Sequence, residues 1–209
     1  GWLRKAAESS MRGVSELEVH VVAGVGNPNQ NGTRQIANVW NETPNGRVWR
    51  IAVLRNQGES NDRIVRAEIS SDGTANSGKI ITLDSPVLGW NTPALITLRY
   101  NGTENAKAGL EPGQAELVVN GAKDTADTDT FPAPVSISGG SGVPLRIGAY
   151  GNGSGNEISG MVGRVAELAL LGQLSTYSPG NENSAGVSPQ DDGELVTIRS
   201  YFRKKYGVW

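Results

Sequence analysis

The chain reads as a series of short runs in which apolar residues fall at alternate positions, interrupted by clusters of Gly, Asn, Asp, Ser and Pro. The first run, 14–22, sets Leu17, Val19 and Val21 on one face and Glu16, Glu18 and His20 on the other, the period of a strand. The pattern returns over 34–40, 47–54, 63–70, 79–83, 94–100 and 115–119, then at 145–147 and 162–171. Trp49, Ile51 and Val53 share a face, so Trp49 is expected in the core, whereas Trp40, beside the polar turn that follows it, is expected to be exposed. The stretch 71–74 suits the turn of a hairpin, and Asn120-Gly121 suits a type I′ turn, whose two central residues both take positive φ.

Helical spacing occurs at the C-terminus, where Leu195, Ile198, Phe202 and Tyr206 recur at three- or four-residue steps. Ser188 fits the N-cap and Pro189 the first helical position; Asp191 and Asp192 suit the positive end of the dipole, Arg203, Lys204 and Lys205 the last turn, and Gly207 the stop. These elements predict one all-β domain over 14–209 with a short C-terminal α-helix, preceded by a linker or tether at 1–13.

Composition narrows the function. With 28 Gly and 10 Pro in 209 residues, the many turns of an all-β chain are accounted for. Net charge is -2 and the Lys and Arg residues are scattered, so the footprint of a nucleic-acid binder is missing. Without cysteine there is no disulfide, thiolate metal site or cysteine nucleophile, and the lone His20 rules out a His-rich metal site. No apolar run reaches the roughly 20 residues of a membrane span, so no membrane insertion is expected. The chain starts at Gly rather than Met, which leaves room for a longer parent protein.

Three stretches carry candidate chemistry. Glu16, Glu18 and His20, two apart on one strand, have the groups for acid, nucleophile and helper in glycoside hydrolysis, but the outside of a half-exposed sheet looks the same, and a solvated face is the expected reading. Asp124, Asp127 and Asp129 cluster oxygen ligands suited to Ca²⁺; with no glycine for a sharp turn and no closing glutamate, a solvated acidic loop is the simpler expectation. No other cofactor is indicated. The loop from Gly148 to Gly160, long, glycine-rich and held by strands at both ends, suits a ligand or partner surface. Glycosylation-type triplets at Asn31, Asn41, Asn101 and Asn152 are expected by chance in a chain this rich in Asn, Gly and Thr.

Four pieces in order add a family likeness: Trp49-Arg-Ile-Ala-Val with Glu68-Ile-Ser-Ser-Asp-Gly-Thr; Gly89-Trp90 leading into Leu95-Ile-Thr-Leu-Arg-Tyr; Glu116-Leu-Val-Val-Asn-Gly; and Leu145-Arg-Ile-Gly followed by Gly163-Arg-Val-Ala-Glu-Leu. With the terminal helix, they resemble the laminin-G-like domains of the concanavalin A-like lectin/glucanase superfamily, in the form common in bacterial secreted proteins and bacteriophage virion proteins. The resemblance implies a concanavalin A-like jelly-roll sandwich of two antiparallel sheets. Fold alone does not give function, since such domains bind sugars, bind proteins or cleave glycans. The hydrolase branch carries a Glu-x-Asp-x-Glu strand in mid-chain that this sequence lacks, so no enzyme is expected, and Glu167 reads as a structural anchor.

What the resemblance implies is a non-catalytic carbohydrate- or cell-surface-binding module at a virion surface or in an extracellular setting, on a phage fibre, spike or decoration protein or a secreted bacterial protein. Its partners would be a surface glycan or polysaccharide and neighbouring subunits, with homo-oligomerisation through the parent. A structural decoration domain acting through protein contacts and a glycan-cleaving enzyme are the alternatives. Trp40, Trp90 and Tyr150 are the candidate stacking aromatics, with packing the simpler role for the two tryptophans, and Asn152 and Asn156 the candidate hydroxyl partners.

Overall fold

The computed structural model describes residues 3–5, 14–27, 31–43, 45–58, 63–121, 128–140, 142–151, 157–158, 160–174 and 193–208. Two antiparallel sheets form from the alternating runs. One has six strands in the order β1 (Leu3–Lys5), β10 (Leu145–Ile147), β3 (Gly32–Trp40), β4 (Arg47–Arg55), β5 (Ile64–Ser70) and β6 (Ile80–Val87). The other has five, in the order β13 (Gly163–Leu171), β2 (Glu16–Val25), β7 (Pro93–Asn101), β8 (Gln114–Val119) and β9 (Thr128–Thr130). A short ribbon, β11 (Tyr150–Gly151) with β12 (Glu157–Ile158), lies between β10 and β13 in the chain.

The apolar face of each sheet is buried against the other. Leu17, Val19 and Val21 of β2 and Ile96, Leu98 and Tyr100 of β7 join Trp49, Ile51 and Val53 of β4 and Ile69 and Leu83 of β5 and β6 in a single cluster, all fully buried. Burial of each such aliphatic side chain contributes about 1.5–3 kcal/mol, and these residues set which face of every strand points inward. Trp49 is in this core, as expected.

Turn chemistry follows the expected residues. Asn120 and Gly121 have φ of 51° and 74°. Strands β5 and β6 pair as a hairpin, and in the turn between them Asp72 Oδ1 accepts from the Thr74 N–H and hydroxyl at 2.9 and 2.7 Å. The segment expected to be a tether behaves differently at 3–5, where β1 pairs antiparallel with β10 in the register Leu3↔Ile147 and Lys5↔Leu145. Without it, β10 would present a row of unpaired backbone groups at the sheet edge.

Helix α1 (Gly193–Tyr206) packs on the outer face of the five-stranded sheet. Phe202 is buried there with Val22, Leu95 and Val208, and Ile198 and Tyr206 pack around them, so these three residues of the predicted stripe form the docking face, while the side chain of Leu195 lies outside what the structure describes. Gly207 ends the helix with φ of 64° and an N–H donated to the Arg203 carbonyl at 2.8 Å, the expected stop. The expected start at Ser188 to Asp192 lies outside the described residues. The two outer faces of the sandwich therefore differ, one closed by a helix and the other bearing polar side chains.

Candidate functional site

On the closed face the polar positions of β2 do not meet water. Glu18 and His20 are both 0 % exposed and Glu16 is 8 % exposed, which overturns the expected solvated face. His20 Nε2 donates to Glu18 Oε1 at 2.7 Å while Thr97 Oγ1 donates to Nδ1 at 3.0 Å. Arg99 donates to Glu18 at 3.3 Å, to Glu116 at 3.0 Å and to the Ala108 carbonyl at 2.7 Å. Glu16 accepts from Lys107 Nζ at 2.7 Å and from the Leu174 N–H at 2.8 Å, and the Phe202 ring lies 6.1 Å from the imidazole. Burial holds the His20 pKa below its ordinary 6.5, outweighing the pull of Glu18, so the ring is neutral at pH 7. These carboxylates face protein rather than a cleft, and a glycosidic bond has no route to them.

The outer face of the six-stranded sheet is built otherwise. Strand register sets Arg146, Asn38, Arg50, Glu68 and Thr82 in one line across β10, β3, β4, β5 and β6. A second line runs through Gln35, Ala52, Arg66 and Asp84, and a third begins with Trp40 and Arg47. Charges of opposite sign meet along and between these lines. Arg50 Nε donates to Glu68, Arg47 donates to Glu42 at 2.7 Å, and Arg50 reaches Glu42 at 3.4 Å. Arg66 holds both oxygens of Asp84, at 2.7 and 2.6 Å. Burial alone would raise the Glu42 pKa, but hydrogen bonds from Arg47 and Trp40 and the charges of Arg47 and Arg50 bring it below its ordinary 4.5.

The side chains of Glu42, Asp84 and Arg66 remain 37, 35 and 31 % exposed. The accessible charged part of this face is therefore limited to these ion-paired side chains on β5, β6 and the turn after β3, because Arg146, Asn38, Gln35 and Trp40 on β10 and β3 are buried. Arg50 and Glu68 fall in pieces that carry the family likeness but without a binding role there, and Glu42, Arg47, Arg66 and Asp84 are each one polar residue in an alternating run or turn.

Trp40 corrects an expectation. It is 1 % exposed, so its ring offers no stacking surface. The polar turn after it folds back, bringing Glu42 to accept from Trp40 Nε1 at 3.1 Å, while the guanidiniums of Arg50 and Arg47 lie 4.6 and 5.9 Å from the indole centroid. Trp90 is half-buried against the main core with Arg55 5.6 Å over its ring. Tyr150 belongs to β11, but its side chain, Asn152 and Asn156 lie outside what the structure describes, as do Asp124, Asp127 and the side chain of Asp129 in β9. Among the described residues no group of three His, Cys, Asp or Glu side chains is placed to hold a metal ion.

Glu167 anchors the helix to β13, accepting from Tyr206 Oη at 2.7 Å, Lys205 Nζ at 2.8 Å and Tyr201 Oη at 3.2 Å. Asn101, one of the glycosylation-type positions, is fully buried with its amide donated to the Asn105 and Leu110 carbonyls at 2.9 and 3.0 Å.

No family model matches the chain, and no characterised protein matches it by sequence. Its structure is similar to the CBM40 of the Ruminococcus gnavus IT-sialidase bound to alpha2,3 sialyllactose, with a TM-score of 0.60 at 15% identity over 79% of this chain and 80% of that one. The heptameric SAP-like pentraxin of Limulus polyphemus gives a TM-score of 0.52 at 12% identity over 77% of this chain and 65% of that one. A botulinum neurotoxin type C structure, concerned with interaction with two ganglioside molecules, gives 0.53 at 8% identity, covering 82% of this chain and 36% of that one. At these identities the likeness defines the fold: a concanavalin A-like jelly-roll sandwich of two antiparallel sheets with one described helix, near the C-terminus.

Proposed function

We propose that this chain is a non-catalytic, lectin-like carbohydrate-binding module whose ligand surface is the outer face of the six-stranded sheet. The observation that carries the reading is the alternation of guanidinium and carboxylate groups on that face, Arg47, Glu42, Arg50 and Glu68 in one chain of contacts and Arg66 with Asp84 beside it. A sugar ring offers the matching pattern, hydroxyls that donate to a carboxylate and accept from a neighbouring guanidinium. The ion pairs hold these long side chains before any ligand arrives, which lowers the entropy lost on binding.

Solved structures of the same fold with sialyllactose and gangliosides as their subject support the glycan reading. Each carboxylate of the face is engaged by an arginine and Glu16 and Glu18 are buried, which supports binding without cleavage. Tyr150, Asn152 and Asn156 are proposed as further contacts on their residue types alone, an aromatic face and two amides of the kind that take a sugar's C–H face and hydroxyls.

The proposed setting is a virion surface or an extracellular one, a phage fibre, spike or decoration protein or a secreted bacterial protein, on the strength of the laminin-G-like resemblance. Among the described residues no helix is long and apolar enough to cross a membrane. The test is a glycan array followed by calorimetric titration of the best glycan. Arg50→Ala, which removes the contact to two carboxylates, is expected to weaken binding at least about tenfold, while Lys204→Ala on the exposed side of α1 leaves it unchanged. A blank array, or affinity unaltered in both Arg50→Ala and Arg66→Ala, overturns the proposal.

A further inference from the structure

The closed face reopens where α1 stops. Register places Glu167, Val22 and Leu95 in one line across β13, β2 and β7, and this line lies under Phe202 and Tyr206. Near the end of the sheet, Arg164, Gly24 and Pro93 form another line that the helix does not reach, because Gly207 terminates it. There a groove of about 480 Å³ opens, lined by Arg164, Asn91, Tyr206, Val22, Gly24 and Pro93 among others, a size suited to a small ligand.

Two features separate this groove from ordinary surface relief. Arg164 is exposed and, among the described residues, its guanidinium makes no ion pair or hydrogen bond, in contrast to Arg47, Arg50, Arg66 and Arg99; the Asn91 side-chain amide is likewise uncommitted. Gly24 supplies the second. A Cβ there would approach nothing closer than Pro93 at 4.0 Å, so neither backbone nor packing demands glycine, and its effect is to leave the floor open. Gly163 differs: its φ is 139° and a Cβ would sit 2.1 Å from the Gly24 carbonyl, so it serves the strand pair. Tyr206 is fixed as a wall by its hydroxyl, donated to Glu167 at 2.7 Å.

We propose that this groove binds a small monocarboxylate carried on a ring with an apolar face. The carboxylate takes the Arg164 guanidinium and the Asn91 amide, and the ring lies against Tyr206 and Pro93. A single uncommitted cation matches a single negative charge, and a planar carboxylate matches the fork of a guanidinium. A uronic acid sugar and an aromatic acid share this chemistry. The groove is on the sheet opposite the charged face, so the two proposals stand or fall separately.

The experiment is a ¹⁵N NMR titration of the chain with sodium glucuronate, with sodium benzoate, and with neutral methyl glucoside as control. Saturable shifts at the Gly24, Asn91 and Arg164 amides with either acid support the site, and the acid that saturates identifies the source. Arg164→Gln is expected to weaken binding at least about tenfold, and Gly24→Val to abolish it by filling the floor. Both variants should keep the wild-type melting behaviour; if Gly24→Val fails to fold, the exposed Arg164→Gln decides. No shift with either acid, equal shifts with the neutral glucoside, or shifts undiminished in Arg164→Gln overturn the proposal.

Discussion

A histidine enclosed between two strands and a helix cannot gain a proton without disturbing its neighbours. His20 already spends both ring nitrogens, Nε2 toward Glu18 and Nδ1 toward Thr97, and Arg99, Arg199 and the Phe202 ring also lie around it. Protonation would turn Nδ1 from acceptor to donor and oblige the Thr97 hydroxyl to turn. In the unfolded chain His20 titrates near 6.5, whereas the folded pKa is lower, so below that pH the unfolded state binds the extra proton. The stability tied to neutral His20 is full above 6.5 and declines as pH falls from there to the folded value, by at most about 1.4 kcal/mol per pH unit. Urea unfolding midpoints measured between pH 8 and 5 should fall on the acid side, and His20→Gln should flatten that slope; an unchanged slope in the variant would place the titration elsewhere.

At the scale of elements, α1 is the piece whose docking decides what the sheet beneath it can do. Its spacing was readable in the sequence, because an apolar residue at each third or fourth position reports a stripe, and Gly207 reports a stop. Its partner was not. The outer face of β2 runs Glu16, Glu18, His20, and only at Val22, with Leu95 beside it on β7, does it turn apolar. Alternation tells which residues avoid the inner core, not what later covers the other side, and the polar run read as solvent-facing for that reason. Phe202 seals the arrangement, buried between Val22 and Leu95 and close to His20. Phe202→Ala is expected to lower stability by about 3–5 kcal/mol in urea denaturation, the usual loss for a buried aromatic. Glu167→Gln, which touches only the exposed clamp of Tyr201, Lys205 and Tyr206, should move the midpoint far less. Comparable losses for the two variants would mean that the clamp rather than the apolar contact holds the helix.

For the whole molecule, one large core joins both sheets and a small one joins α1 to the second sheet. The strands of the large core were legible where a period of two survives, as in Leu17-Val19-Val21 and Ile96-Leu98-Tyr100, and less so in β3 and β13, where bulges shift the register. The charged face was not, since Arg50 and Glu68 become neighbours only through the β4–β5 register, and Arg66 and Asp84 only through that of β5 and β6. The same division into a large and a small core bears on stability. Amides of β2 and β7 lie in the centre of the five-stranded sheet with partners on both sides and open only when the shared core is lost. Helix α1 leaves the sheet by giving up the few apolar contacts around Phe202, so its amides can exchange through a partial opening that leaves the sandwich intact. Native-state hydrogen exchange should therefore rank the amides of Val19, Val21, Ile96 and Leu98 slowest, at the free energy of global unfolding, with those of 198–205 exchanging at a lower one. Phe202→Ala should speed the helix amides more than it speeds the central strands, because it removes the contact that the partial opening breaks. Equal protection of helix and central strands in the wild type would show instead that the two cores open as one.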